Sequence, residues 1–212
     1  MACNSAAAAA LDTLTERLTV PVLGVVEPGV RAAVEASRTG RIGVIGTVGT
    51  IASGAYERVT RHIDANVTLT SAACPGFVEF VEAGDVDSPE VHTLVERLLA
   101  PVRDAAVDTL VLGCTHYPLL ARTIGAVMGP DVTLVSSAEA TALAVRELLG
   151  SSPPLHSTEL LHSSPSLHSS ELLHSTEPLH SFLTSGDVDT FRRLGSRFLG
   201  PEVEHVEAWR WS

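Results

Sequence analysis

The chain has 212 residues, enough to bury a real core as one large domain or two small ones, with 45% apolar and 4% aromatic residues. Its formal net charge of −11 argues against nucleic acid and against anionic membrane surfaces as partners. Three widely spaced cysteines make no disulfide framework and fit a reducing, cytoplasmic compartment. The Ala6–Ala10 run lacks a basic flank and is soon interrupted by Asp12 and Glu16, so it is not read as a signal peptide. No apolar segment is long enough to span a bilayer.

In chain order, Ser5 to Leu18 reads as an Ala-rich helix with Leu11, Leu14 and Leu18 on one stripe. Val20 to Val26 reads as a short apolar strand broken by Glu27-Pro28-Gly29, and Val30 to Ser37 as a helix. After a Thr39-Gly40 turn, Arg41 to Gly46 is a strand, and Thr47 to Thr50 a Gly-bearing turn into a helix around Tyr56 to His62. Val67 to Ala72 is a strand, Pro89 to Ala106 a long amphipathic helix and Thr109 to Leu112 a strand ending at Gly113. Leu119 to Met128 (helix), Val132 to Val135 (strand) and Ala138 to Leu149 (helix) complete the series. This alternation predicts an α/β fold with a parallel sheet.

Residues 151–181 differ in kind. Leu-His-Ser recurs at 155, 161, 167, 173 and 179, with Ser, Thr, Glu and Pro between. Five hexamers are too few to bury a β-helix core, so a disordered surface loop expanded by duplication is expected. Its histidines lack a rigid frame, and no metal site is assigned to them.

The chemistry-bearing stretch is Cys114-Thr115-His116, which follows the apolar run 109–113. Open α/β sheets place ligands at this strand edge, and a following helix N-terminus favours thiolate. Cys3, in Ala2-Cys3-Asn4-Ser5, also precedes a helix, so the two thiols suggest paired acid/base work. On their own, buried free cysteines are more often structural. Thr47 and Thr50 enter a helix from a Gly turn, which suits either anion binding or plain capping.

Several segments together carry a family likeness. They are Ala2-Cys3-Asn4-Ser5-Ala6, Val26-Glu27-Pro28-Gly29, Gly43-Val44-Ile45-Gly46-Thr47 with Gly49-Thr50-Ile51, and Ser53-Gly54-Ala55-Tyr56. Further on come Ala73-Cys74-Pro75-Gly76-Phe77-Val78, Leu112-Gly113-Cys114-Thr115-His116-Tyr117-Pro118 and Ser137-Ala138-Glu139-Ala140-Thr141. In this order and spacing the chain resembles the glutamate racemases of the aspartate/glutamate racemase superfamily, from residue 1 to about 150 and again near Thr184-Ser185-Gly186-Asp187.

The resemblance implies two similar parallel-sheet lobes around a central cleft. Residues 27–135 would form one lobe, and 1–26 with 136–212 the other. That lobe would be incomplete at its N-terminus, because the family's opening strand and Asp-Ser-Gly turn are not seen ahead of Cys3. The implied activity interconverts L-glutamate and D-glutamate for peptidoglycan synthesis without a cofactor. Cys3 would take the Cα proton of the D-enantiomer and Cys114 that of the L-enantiomer. His116 would assist Cys114 with Glu82 nearby, although Glu82 read alone is a solvated acid beside Gly84. Asn4, Ser5, Thr47, Thr50 and Thr115 would bind substrate, and Cys74 matches a position that is not catalytic. The implied partner is glutamate, with no metal, nucleic acid or membrane, and a homodimer is the candidate assembly. The alternatives are an aspartate or hydantoin racemase or a maleate isomerase on the same scaffold, or a non-catalytic fragment acting as a binding protein.

Overall fold

Two apolar runs make the centre of the sheet: β1 (Arg41–Gly46), buried beyond its first residue, and β3 (Thr109–Gly113), buried throughout. Near-continuous apolar strands of this kind belong to parallel sheets covered on both faces. The computed structural model describes residues 1–148, 150, 181–200, 203 and 205–210, in two units, Met1–Ser151 and Ser152–Ser212. In the first unit β2 (Thr68–Ala73) and β4 (Thr133–Ser136) flank the central pair, giving the order β2-β1-β3-β4, all parallel. The α/β fold with a parallel sheet, expected from the alternation of elements, is what the chain adopts.

The helices follow from local chemistry. α1 (Asn4–Arg17) is the Ala-rich segment, with Cys3 at its N-cap. α2 (Val26–Ala36) begins earlier than expected and takes Glu27-Pro28-Gly29 into its first turn. Proline is tolerated there, because the first turn's N–H groups have no intrahelical acceptor. The strand expected at Val20 to Val26 does not form. Pro21 removes one donor, and among the described residues no strand lies alongside to pair with it; the Met1 amino group bonds Leu23 O instead. α3 (Val48–Ala52) and α4 (Ala55–Ile63) follow β1, split by Gly54 at φ +66°.

α5 (Phe77–Glu82) was not expected from sequence; it follows β2 after Gly76 at φ +94°. α6 (Pro89–Asp104), capped by Ser88, precedes β3. A short 3-10 turn (Tyr117–Leu120) leads into α7 (Ala121–Met128), and α8 (Ser137–Leu148) follows β4 directly. Ile42, Val44, Val111 and Val135 join Ala7, Val26, Val30, Ala33 and Tyr56 in one core. Behind β1, a Cβ on Gly43 would lie 2.8 Å from Leu110 and 3.3 Å from Val102, so α6 presses close on that side.

The second unit is a βαβ element. β5 (Phe182–Thr184) and β6 (Val206–Ala208) pair in parallel, with α9 (Val188–Leu199) between them in sequence. Asp187 caps α9 by accepting the Thr190 N–H at 2.8 Å. The Leu-His-Ser repeat lies outside the described residues. Among the described residues no helix is long and apolar enough to cross a membrane.

Candidate active site

The strand order places a switch point between β1 and β3, since the chain leaves β1 toward β2 on one side and β3 lies on the other. Ligands of open α/β sheets bind beyond the carboxyl ends of the strands at such a point. Gly46 and Gly113 are register partners at those ends, so Thr47 and Cys114 leave the sheet side by side. A Cβ on Gly113 would sit 2.7 Å from Ile45 O and 3.0 Å from Tyr56 OH, which only glycine permits.

Cys114 is buried, and its Sγ lies 3.9 Å from His116 Nδ1. His116 Nε2 lies 2.6 Å from Glu82 Oε1. An ionised carboxylate only accepts, so Nε2 is the donor to Glu82, and in the neutral tautomer that this bond selects Nδ1 turns a lone pair to the thiol. Packing delivers Glu82: Phe77 meets Tyr117 edge to face with ring centroids 5.2 Å apart, which sets α5 against the 3-10 turn that follows His116. Thr115 is exposed, with its hydroxyl 3.4 Å from His116 Nδ1.

Burial pushes the Cys114 thiol above its ordinary value. Backbone N–H groups of His116 and Tyr117 and the Thr115 hydroxyl pull the other way, and the charge of Cys3 adds to the rise. The helix-end effect expected to favour thiolate is outweighed: only a four-residue 3-10 turn follows, and its dipole is small. Ser5 meets Thr47, which leaves the sheet beside Cys114, so the start of α1 with its exposed Cys3 lies at the same sheet edge.

The hydroxyls form a second cluster. Ser5 Oγ lies 2.9 Å from Thr47 Oγ1 and 2.8 Å from Thr50 Oγ1, and the threonine hydroxyls are 3.0 Å apart. Thr47 also caps α3, accepting the Thr50 N–H at 3.2 Å, so capping and a hydroxyl site coexist. Thr50 is buried, while Ser5 and Thr47 are half-buried. Asn4 is buried with its amide engaged at both ends, by Tyr56 and Ser137.

The structure thus brings Ser5, Thr47 and Thr50 together, and Cys114, Thr115, His116 and Glu82 together, all within the first unit. Cys74, at the end of β2, is buried, and burial pushes its thiol up to about 12. Sequence reasoning assigned no role to Tyr56 or Ser137. Their only signal was membership in the Ser53–Tyr56 and Ser137–Thr141 segments.

The profile of the Asp/Glu/Hydantoin racemase family matches residues 1–145. A glutamate racemase of Acidothermus cellulolyticus is 47% identical over 97% of this chain and 72% of its own length. The crystal structure of a glutamate racemase isoform from Bacillus anthracis superposes with a TM-score of 0.82 at 39% identity, over 98% of this chain and 71% of that one. The glutamate racemase of Francisella tularensis, solved in complex with D-glutamate, superposes with a TM-score of 0.75 at 28% identity, again over 98% and 71%.

Proposed function

This chain belongs to the Asp/Glu/Hydantoin racemase family, and on that premise we propose that it is a glutamate racemase that supplies D-glutamate for peptidoglycan in the cytoplasm. The observation that carries the chemistry is the thiol–imidazole–carboxylate line Cys114, His116 and Glu82 at the β1/β3 switch point, with the start of α1 and Cys3 at the same sheet edge.

In the proposed reaction the Cys3 thiolate removes the Cα proton of D-glutamate. The electron pair stays on the substrate as a planar carbanion, and the Cys114 S–H delivers its proton to the opposite face to give L-glutamate. Cys114 is then the thiolate and Cys3 the thiol, and the reverse reaction starts from that state. Two protons are handled by two thiols, so the scheme draws on no cofactor. Burial pushes the Cys114 thiol up, which suits its part as proton donor in the resting state. His116, polarised by Glu82, can take up and return the Cys114 proton.

Substrate carboxylates would be held by the hydroxyls of Ser5, Thr47, Thr50 and Thr115, with Asn4 at the base of the site. The lobe boundaries, 27–135 against 1–26 with 136–212, form part of the same proposal, as does a homodimeric assembly. Circular dichroism of the purified chain with L-glutamate, D-glutamate and L-aspartate tests the assignment. Loss of signal from both glutamate enantiomers, much faster than from aspartate, is expected. Preference for aspartate would move the assignment to another member of the family, and no turnover of either would reject it.

A further inference from the structure

A buried polar chain runs through Asn4, and the reaction above gives its other two members, Tyr56 and Ser137, no part. The Tyr56 hydroxyl donates to Asn4 Oδ1 at 2.7 Å, Asn4 Nδ2 donates to Ser137 Oγ at 3.4 Å, and the Ser137 hydroxyl donates to Leu112 O at 3.2 Å. Tyr56, Asn4 and Ser137 are 1%, 2% and 3% exposed. Every donor points the same way, and the line ends on a backbone carbonyl. In this arrangement the Asn4 amide is engaged at both its oxygen and its nitrogen.

The ends of this chain matter. Asn4 follows Cys3 directly, and Leu112 precedes Cys114 by only Gly113. The chain therefore links α1, α4, α8 and β3, with Cys3 adjacent in sequence to Asn4 and Cys114 two residues beyond Leu112. The backbone makes room for it: a Cβ on Gly113 would lie 3.0 Å from Tyr56 OH, and one on Gly29 would lie 3.0 Å from Ser137 Cβ. Burial pushes the Tyr56 hydroxyl far up, so it stays a donor across the working pH range.

We propose that Tyr56 and Ser137 are positioning residues that set the separation of the two thiols by holding Asn4 against the end of β3. This rests on the reading of Cys3 and Cys114 as the acid/base pair. A thiol displaced by about 1 Å from its reacting carbon loses on the order of 100-fold in rate.

Thr123 provides a control. It is 2% exposed, and its hydroxyl donates to Val86 O at 2.8 Å rather than to a member of the Asn4 chain. The test compares Tyr56→Phe, Ser137→Ala and Thr123→Val in the full chain, measuring kcat, KM, the α-deuterium isotope effect on each glutamate enantiomer and the unfolding midpoint. Tyr56→Phe and Ser137→Ala should lower kcat by about 10- to 100-fold with KM little changed. Their isotope effect should rise as proton transfer becomes limiting. Thr123→Val should lower the midpoint comparably and leave kcat and the isotope effect near those of the parent. If the parent racemises glutamate and all three variants lose kcat alike, or the isotope effect does not move, the positioning role is wrong and the functional reading stands. If the parent does not racemise glutamate, the functional reading fails and this inference falls with it.

Discussion

Each of the three thiols occupies a different environment, and the environments predict different behaviour. Cys3 is exposed at a helix N-cap, Cys114 is buried beside an imidazole, and Cys74 is buried with a thiol pushed up to about 12. The Cys74 thiol faces Ala72 O, whereas Cys114 has an imidazole to take up its proton, so Cys74 is not set up to serve as a base near neutrality. Cys3→Ser and Cys114→Ser should each lower racemisation by about 100- to 10,000-fold, since a serine hydroxyl is a far weaker acid. Cys74→Ser should retain most of the activity and lose some stability. Equal losses at all three positions, read by steady-state kinetics beside thermal unfolding, would mean that folding is being measured instead. Alkylation should follow the same logic: iodoacetamide with mass-spectrometric mapping should label Cys3 in the native protein and Cys74 only on unfolding. Labelling of native Cys74 would contradict its burial.

Much of this was legible residue by residue. A thiol after a Gly-terminated apolar strand, with a histidine two positions on, is a local pattern, and the structure keeps Cys114 and His116 adjacent. Glu82 was not legible from its own neighbours, because its approach to His116 depends on the Phe77–Tyr117 contact between separate elements. Tyr56 and Ser137 were invisible for the same reason: a buried hydroxyl acquires its meaning from partners far away in sequence.

At the scale of elements, Asp108 ties the start of β3 to the loop before β1. Its carboxylate accepts from Ser37 Oγ at 2.7 Å, Arg38 N at 2.8 Å, Thr39 N at 2.7 Å and Thr39 Oγ1 at 2.9 Å. Partial burial alone would raise its pKa; these hydrogen bonds outweigh that and hold it well below the usual carboxylate range. A depressed folded-state pKa stabilises above the unfolded value of about 4 and is lost as pH falls through the lower folded value. Asp108→Asn should therefore cost about 1–3 kcal/mol near neutrality and flatten the acid limb of stability below about pH 4. Denaturant titrations at several pH values check this, and an unchanged acid limb would show that the loop is held by other contacts. Nearby, Ala106 has φ +49°, a left-handed conformation that costs a non-glycine residue roughly 1 kcal/mol. Ala106→Gly should stabilise by up to about 1 kcal/mol, less the extra freedom of glycine in the unfolded chain. Loss of stability would show that the methyl group's packing matters more than the strain.

The elements themselves were read with uneven success, for physical reasons. Arg41 to Gly46 was placed to the residue, because a Gly turn and an all-apolar run bound it. Val20 to Val26 has strand-like composition but finds no pairing partner among the described residues, and pairing is not visible in a local window. α2 absorbed Glu27-Pro28-Gly29 because proline breaks a helix only past its first turn. α5 was missed because six residues carry too little periodicity to stand out.

For the molecule as a whole, alternating strands and helices announced the α/β class, but not the order β2-β1-β3-β4. That order makes the site, since it sets the end of β1 beside the end of β3 and so brings Thr47 near Cys114. The central claim is that two thiols on opposite faces of one carbon exchange its proton. Incubation of the chain with L-glutamate in deuterium oxide, followed by chiral separation and mass spectrometry at early times, tests it directly. D-glutamate should form with deuterium at Cα while the remaining L-glutamate keeps its proton, because the base that accepts is not the acid that donates. Deuterium appearing equally in both pools from the start, or D-glutamate that retains the original proton, would contradict the two-thiol account.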